Sequence, residues 1–530
     1  MLTIKTEEVT DEGFPMAEFW KRKDTVMVCG GSIPCIREAY VQAVEKNKTD
    51  RLAYVPLTEE DYVLGTAEER ISEKIRSVSR RKGVEVIIFY LSCPDILIRM
   101  DFKHMEERLS RETGKTVRCF FRGPLGKAEK GYEKAEDFVK HLPPERGEAV
   151  EEVPLLPPPV ADCAGISDWF MQEGTANILL TPAGCRSCMV HMDMMAGQEH
   201  VYYTKTEERD YVFGMEETTE KQTEELLKSG ELHHFALISS AVPSFTGMDG
   251  ETTAARIAKS AGKEGIFFEA DGFHDILWGV SRAERKWAEN LRLLPKEGNK
   301  KTVLILGYSP LLCGDIHQYD ACIRFLRKEG ITPLFSGRNE MTALPSLLWV
   351  VSSAGLSAAQ YAAETCGIPL LISCPVGGHA FSMWQKHVRN LVSDGQGKAV
   401  LKIHNMDIPH TRKEKVLLVG DPVHTMAAAH ALWHRGFSRL RLGAYAWTAE
   451  DRSLYEMAPG SDWVHYFKTE AELENLGKEA DMVVADPLLQ PFFKGKEFIP
   501  FPWGALSGRK SLLPGGGIMG HVIWEKLQNL

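Results

Sequence analysis

The chain has 530 residues, of which 44% are hydrophobic and 26% charged, and its net charge at pH 7 is -10. This composition is typical of a globular protein that is too long for one hydrophobic core, so we expect about three to four domains. The negative charge disfavours nucleic-acid binding, and the lack of a secretory signal or of an apolar run of roughly 18 residues predicts a cytoplasmic protein without membrane contact.

Short apolar runs that end in small or turn residues alternate with amphipathic helices along the chain. The predicted strands are TVMVCGG, EVIIFYLS, NILLTPAG, HFALISS, TVLILGYS, SLLWVVSS, PLLISCPVGG and KVLLVGDP. Stretches such as AEERISEKIRSVSRR and IHQYDACIRFLRKEG lie between them and predict helices. Because strands and helices alternate, we expect an α/β fold built from parallel sheets with helices on their faces.

Three segments rich in proline, glutamate or lysine predict domain boundaries, at or near residues 141–160, 293–302 and 407–415. They divide the chain into four α/β units. We expect these units at residues 1–145, 146–295, 296–412 and 413–530.

The first two units carry the same phrase, DYVLG from Asp61 and DYVFG from Asp210. Further matches follow in the same order and at nearly constant spacing. They pair Cys35 with Cys185, Cys93 with Ala241, Asp101 with Asp249, Phe121 with Phe268, Gly131 with Gly279 and Glu136 with Glu284. Two Rossmann-like units can look alike without common origin, but ordered matches over several blocks favour a duplication.

The ordered motifs carry a resemblance to a known family. The second unit reads ADCAG, LLTPAGC, DYVFG and GMD, and the first reads SIPC, DYVLG, SCP, FRG and GY. The remainder contains LILGYSPLLCGD, CGIPLLISCPVGG and PGGGIMGHVIWEKL. This set resembles component 1 of nitrogenase and its relatives, which include the dark-operative protochlorophyllide reductase and the nickel-sirohydrochlorin reductive cyclase. The resemblance covers nearly the whole chain and implies several Rossmann-like domains of that type, with an extra, truncated N-terminal copy of the first domain.

The resemblance also implies a cofactor, most simply one [4Fe-4S] cluster between the first two units. Family members usually supply the two copies of the first domain from two subunits, whereas here one chain carries both. The first unit has no match to the family's first cysteine, and Ala241 replaces the third cysteine of the second unit. The implied ligands are Cys35, Cys93, Cys163 and Cys185, since one cubane cluster needs four thiolates.

Cys29 and Cys188 are reserve ligands, with which a larger cluster is possible. Cys185 and Cys188 form a C-x-x-C, which alone also fits a redox or zinc motif, but no second C-x-x-C is present. A cysteine elsewhere is more often core filler. We expect that role for Cys119, Cys313, Cys322, Cys366 and Cys374.

Other chemistry is sparse in the sequence. No phosphate-binding loop is present, and the histidines, including His379, show no metal-ligand spacing. The segment CPVGGHAFSMW either lines a crevice at a sheet edge or is a tight turn with a surface histidine, and LLPGGGIMG is either a turn or a substrate lid. No catalytic residue is identified.

The resemblance implies an anaerobic iron-sulfur reductase component. Electrons would come from an ATP-hydrolysing iron protein that meets the face near the Asp61 and Asp210 helices. The substrate would be a tetrapyrrole or another small molecule. Two alternatives stay open: a scaffold for metallocluster assembly without turnover, and a fold relative that binds a small ligand without a cluster. A homo-oligomer or a paralogous subunit is also possible.

Overall fold

Among the residues that the computed structural model describes, four parallel β-sheets follow one another along the chain. The structure describes residues 16–121, 135–145, 148–182, 193, 201–206, 208–228, 230–296, 301–400 and 411–508. The sheets belong to two compact units, of which unit 1 is Met1–Cys163, Gly174–Met192 and Gln198–Phe273, and unit 2 is Ala164–Glu173, Asp193–Gly197 and His274–Leu530. The predicted α/β fold with several parallel sheets is confirmed.

The first sheet of unit 1 has the strand order β2-β1-β3-β4. Its strands are β1 Thr25–Gly31, β2 Leu52–Pro56, β3 Val86–Leu91 and β4 Thr116–Phe121. The accompanying helices are α1 Met16–Phe19, α2 Ile33–Glu45, α3 Glu59–Val63, α4 Ala67–Ser79, α5 Cys93–Leu97, α6 Phe102–Thr113 and α7 Ala135–Lys140. Because helices cover the sheet, the run VIIFYL of β3 is buried throughout.

The second sheet of unit 1 has the equivalent order, β6-β5-β7-β8. Its strands are β5 Thr175–Leu179, β6 Val201–Tyr203, β7 His234–Ile238 and β8 Glu264–Phe268. The helices are α8 Asp162–Trp169, α9 Glu208–Phe213, α10 Glu216–Leu227, α11 Ala241–Phe245 and α12 Gly250–Ala261. Helix α8 begins in unit 1 and ends in unit 2.

Equivalent helices of these two sheets begin and end in the same way. Asp101 caps the N-terminus of α6 and Asp249 that of α12, each by accepting a hydrogen bond from a backbone N–H in the first turn. Gly114 and Gly262 then end the two helices in the left-handed conformation. This likeness agrees with the predicted duplication, which stays a prediction.

The third and fourth sheets lie in unit 2, with the orders β10-β9-β11-β12-β13 and β16-β15-β14-β17-β18. The strands are β9 Thr302–Leu306, β10 Thr332–Phe335, β11 Leu347–Val350, β12 Leu370–Ile372, β13 Lys398–Val400, β14 Arg412–Val419, β15 Phe437–Tyr445, β16 Val464–Phe467, β17 Met482–Ala485 and β18 Glu497–Pro500. The helices are α13 Ile276–Ala288, α14 Pro310–Cys313, α15 Asp320–Lys328, α16 Leu356–Cys366, α17 Gly377–Asp394, α18 Pro422–Trp433, α19 Ala449–Glu456, α20 Glu470–Gly477 and α21 Gly504–Ser507. Short 3-10 helices lie at Thr49–Arg51, Glu289–Leu293, Ile316–Tyr319, Ser353–Gly355, Ser461–Trp463 and Pro487–Phe493.

Each of the four predicted sequence ranges contains one sheet, except that Arg412, the first residue of β14, lies just before the fourth range. The polar start of RKEKVLLV continues an apolar strand that pairs with two neighbours, so β14 begins within residues 407–415, which mark the predicted boundary. The division into four domains stays a prediction. No helix among the described residues is long and apolar enough to cross a membrane.

Candidate metal centre

Two predicted ligands lie at the carboxyl edge of the first sheet, where its strand order reverses. Strand β1 ends at Gly31 and leads into α2, which carries Cys35, while β3 ends at Leu91 and leads into α5, which begins at Cys93. The two strands are direct neighbours. The crevice at such a reversal is the usual ligand position in an open parallel sheet, so the topology itself places both cysteines at a binding edge.

The turns before these cysteines are packed closely together. A methyl group added at Gly31 would lie 2.7 Å from Oγ of Ser92, the residue that precedes Cys93. On the other side, the Ser32 hydroxyl donates to the sulfur of Cys35 at 3.6 Å. Cys93 is buried and Cys35 is half-buried. The two thiols therefore belong to one packed region, with Cys35 nearer to solvent.

The third predicted ligand, Cys163, comes from the second half of unit 1 and is fully buried. It is the second residue of α8, directly after Asp162. The Asp162 carboxylate accepts hydrogen bonds from the backbone N–H groups of Cys163, Asp271 and Gly272, at 2.7, 2.8 and 3.1 Å. Because a buried carboxylate needs such donors, Asp162 ties the start of α8 to the loop around Gly272.

Gly272 joins the two halves of unit 1. Its carbonyl accepts a hydrogen bond from the backbone N–H of Ile33, the first residue of α2, at 2.7 Å. A methyl group at this position would lie 3.1 Å from Cβ of Ala241 and 3.5 Å from Cδ of Pro34. Ala241 is the residue that matches Cys93 in the second half. The start of α2, which leads to Cys35, and the start of α8, which carries Cys163, thus both contact this one glycine.

Tyr62, from the repeated phrase, orients the turn before Cys93. Its hydroxyl donates to Oδ1 of Asp95 at 3.0 Å, and the Ser92 hydroxyl donates to Oδ2 at 2.6 Å. Burial raises the pKa of Asp95, although the hydrogen bonds from Ser92 and Tyr62 oppose this rise. Burial, followed by the charge of Asp95, raises the pKa of Tyr62 well above its usual value, and the charge of Cys35 acts in the same direction.

Aromatic rings from the second half enclose Tyr62. Its ring meets those of Phe245 and Phe273 at centroid distances of 5.5 and 5.9 Å. Phe245 lies on α11, and α11 contacts α5. Helices α5 and α11 follow equivalent strands, so equivalent elements of the two halves meet each other. This is the contact that a twofold relation produces.

The apolar residues that follow the tyrosine in each copy of the phrase face solvent. Val63 and Leu64 are 77% and 74% exposed, and Val212 and Phe213 are 75% and 87% exposed. These four residues, here called the apolar tips, are among the most exposed large hydrophobic residues in the described part of the chain. Exposed apolar side chains therefore occupy matching positions in the two halves of unit 1.

In the described part of the chain, Cys35, Cys93 and Cys163 do not form a group whose ligand atoms all lie within 4.8 Å, so they do not form a site for one ion. A cubane cluster binds each thiolate to a different iron and does not require that grouping. Cys185 and Cys188 lie outside the described residues. Cys29 is fully buried inside β1, two residues before the strand ends.

The cysteines expected in the core are mostly buried. Burial raises the pKa of the Cys119, Cys322 and Cys374 thiols, and that of Cys313 to about 12, which keeps them protonated. Cys366 is only half-buried, so the core prediction was wrong for this residue. It lies at the end of α16, where one face of the helix meets solvent. None of the cysteines in the described ranges forms a disulfide.

One group of polar residues was missed by the sequence analysis. His379, in the first turn of α17, lies beside His430 and His434 from the end of α18. The statement that the histidines lack metal-ligand spacing was therefore wrong. His430 and His434 stand four residues apart on one helix, and this spacing was the available signal.

Comparison with known proteins places the chain in a family. The family model "Nitrogenase component 1 type Oxidoreductase" matches residues 169–486, more than half of the chain. The chain belongs to this family. The family binds iron-sulfur clusters. The match begins after the first sheet, so it does not test the predicted N-terminal copy.

Solved structures support the fold. A chain described as "Nitrogenase Cp1 at pH 6.5" aligns with a TM-score of 0.52 and 12% identity, covering 74% of this chain and 96% of that one. A second, "Nitrogenase Cp1 at pH 5", gives a TM-score of 0.48 and 14% identity over 73% of this chain and 91% of that one. Comparison with curated protein sequences gives no match.

Proposed function

We propose that this protein is an iron-sulfur reductase component that accepts electrons from an ATP-hydrolysing iron protein and reduces a small molecule or a tetrapyrrole-type substrate. The observation that carries the proposal is the meeting of the α2 and α8 starts at Gly272, inside unit 1. One chain can thereby supply thiolates from both halves to a single cluster. The chain belongs to a family of oxidoreductases, which also supports this proposal.

Cys35, Cys93, Cys163 and Cys185 would hold the cluster, most simply one [4Fe-4S]. When bound, such a cluster supplies one-electron transfer at a potential that burial and hydrogen bonding adjust. The protein residues position the thiols and exclude water. Asp162 fixes the backbone at Cys163, and the buried Asp95 carboxylate fixes the turn before Cys93.

The apolar tips provide the surface for the iron protein. Val63 and Leu64 follow the first copy of the phrase, and Val212 and Phe213 follow the second. A homodimeric partner presents two equal patches, so matching apolar residues at equivalent positions suit it. The chain shows no phosphate-binding loop of its own, and nucleotide hydrolysis would therefore belong to the partner.

The first experiment tests the cluster. Anaerobically purified protein should contain about four iron atoms per chain. Cys35→Ala and Cys163→Ala should each lose most of the iron, although the two residues lie on different halves. Cys366→Ala, a half-buried cysteine of unit 2, is the matched control and should keep it. Iron retained in Cys35→Ala but lost in Cys163→Ala would contradict a cluster shared by both halves.

The second experiment tests electron delivery. Cluster reduction is followed by electron paramagnetic resonance with the purified iron protein, with and without ATP. Phe213→Asp should abolish ATP-dependent reduction but leave direct reduction by dithionite unchanged, because only docking is affected. Leu293→Asp, at a residue of unit 2 that is 75% exposed, is the control. Wild-type protein that binds iron but shows no ATP-dependent reduction would favour the assembly scaffold.

A further inference from the structure

Three histidines from two helices of unit 2 meet at a position that the iron-sulfur chemistry does not use. Helix α17 follows β12 and carries His379 in its first turn, which is exposed. Helix α18 carries the buried His430 in its last turn, and His434, which is half-buried, directly follows this helix. The two helices contact each other.

The rings are close enough to share one ion. One ring nitrogen from each histidine can be chosen so that all three lie within 4.8 Å of one another. The ring centroid of His434 lies 4.1 Å from that of His379 and 4.6 Å from that of His430. The third separation, between His379 and His430, is 5.8 Å. Metal–nitrogen bonds are about 2.0–2.1 Å long. Small side-chain rotations from these positions would bring all three nitrogens within that distance of one ion.

The positions of the three residues on their helices suit metal binding. His430 and His434 stand four residues apart, a spacing that puts two imidazoles on one helical face toward a single ion. His379 approaches from the other helix. His430, in the last turn of α18, and His434, which directly follows it, both lie at the C-terminal end of that helix, where the helix dipole favours a cation.

We propose that His379, His430 and His434 bind one divalent transition-metal ion of the zinc class through three imidazole nitrogens. Imidazole suits zinc, copper, nickel and cobalt, whereas magnesium and calcium need oxygen ligands. Three protein ligands leave the fourth coordination position of the ion free, and the exposure of His379 opens that position to water. The ion would link α17 to α18 and so stabilise unit 2. The site is independent of the cluster, whose described candidate ligands lie in unit 1.

The test uses the full chain without a polyhistidine tag, treated with a chelator and then titrated with Zn²⁺ by calorimetry. We expect one zinc ion per chain, and a Co²⁺ complex with a visible absorption band of nitrogen coordination. His379→Gln should weaken zinc binding by at least roughly tenfold, since losing a ligand costs no less than losing a residue that supports one. Because His379 is exposed, this variant should fold normally, which circular dichroism checks.

Two controls make the outcome decisive. His465→Gln changes an exposed histidine elsewhere in unit 2 and should leave zinc affinity unchanged. Cys35→Ala removes a proposed iron ligand and should also leave it unchanged, which separates this site from the cluster. Unchanged zinc affinity in both His379→Gln and His434→Gln, or the absence of stoichiometric zinc binding in the wild type, would overturn the proposal.

Discussion

Replacing Gly272 with alanine is expected to loosen the junction between the two halves of unit 1. Gly272 has a φ of +70°, which costs an alanine about 1–2 kcal/mol. The new methyl group would also stand 3.1 Å from Cβ of Ala241. This contact adds about 1 kcal/mol, the lower end of the range for overpacked positions. The total destabilisation is therefore about 2–3 kcal/mol.

Gly247 provides the matched control. Its φ is +74°, and a methyl group there would have no neighbour within 4 Å. Gly247→Ala thus has only the backbone cost of about 1–2 kcal/mol. The difference between the two variants measures the packing at the junction. Ala241→Gly should recover about 1 kcal/mol in the Gly272→Ala background, because it removes the methyl group that the new side chain meets.

The assay combines urea unfolding of the iron-free protein with hydrogen exchange at Ile33. The Ile33 N–H donates to the carbonyl of Gly272, so its exchange should accelerate in Gly272→Ala but not in Gly247→Ala. Iron content after anaerobic reconstitution should fall only in Gly272→Ala. Two results together would refute the view that close packing at Gly272 holds the junction together. Gly272→Ala and Gly247→Ala would be equally stable, and Ala241→Gly would recover no stability in the Gly272→Ala background.

Three further predictions concern buried carboxyl groups. Asp162→Asn should destabilise unit 1 by about 1–3 kcal/mol and lower iron content, because its amide turns N–H groups toward backbone donors; urea unfolding and iron analysis check this. Burial raises the pKa of Glu284 to about 7. The stability that the protonated carboxyl contributes is therefore fully present below its ordinary pKa and is lost as pH rises toward 7. Unfolding measured from pH 4 to 8 should show a weaker decline in Glu284→Gln. Burial, followed by the charge of Asp451, raises the pKa of Asp275 well above its usual value, so the stability that its protonated form contributes is lost as pH rises from that usual value through the raised pKa. The melting temperature should therefore decline less steeply with pH in Asp275→Asn, which does not titrate, than in the wild type.

The sequence by itself determined the elements and their order. TVMVCGG forms β1 from its first to its last residue, and AEERISEKIRSVS forms α4. Apolar runs of strand length and helices of 3.6-residue periodicity are local patterns, so local sequence suffices to predict them. The order of strand, turn and helix also put Cys35 and Cys93 at a carboxyl edge, because that edge follows from parallel strands.

Only the tertiary structure decided which residues meet across the chain. The bond from Gly272 to Asp162 joins residues 110 positions apart, and that from Tyr62 to Asp95 joins residues 33 apart. His379 meets His430 only because α17 and α18 pack together. Such contacts depend on how whole elements pack, and a buried polar group finds its partner only after that packing has formed. No short-range pattern encodes them, since the two partners belong to separate stretches whose local sequences fit many other neighbours.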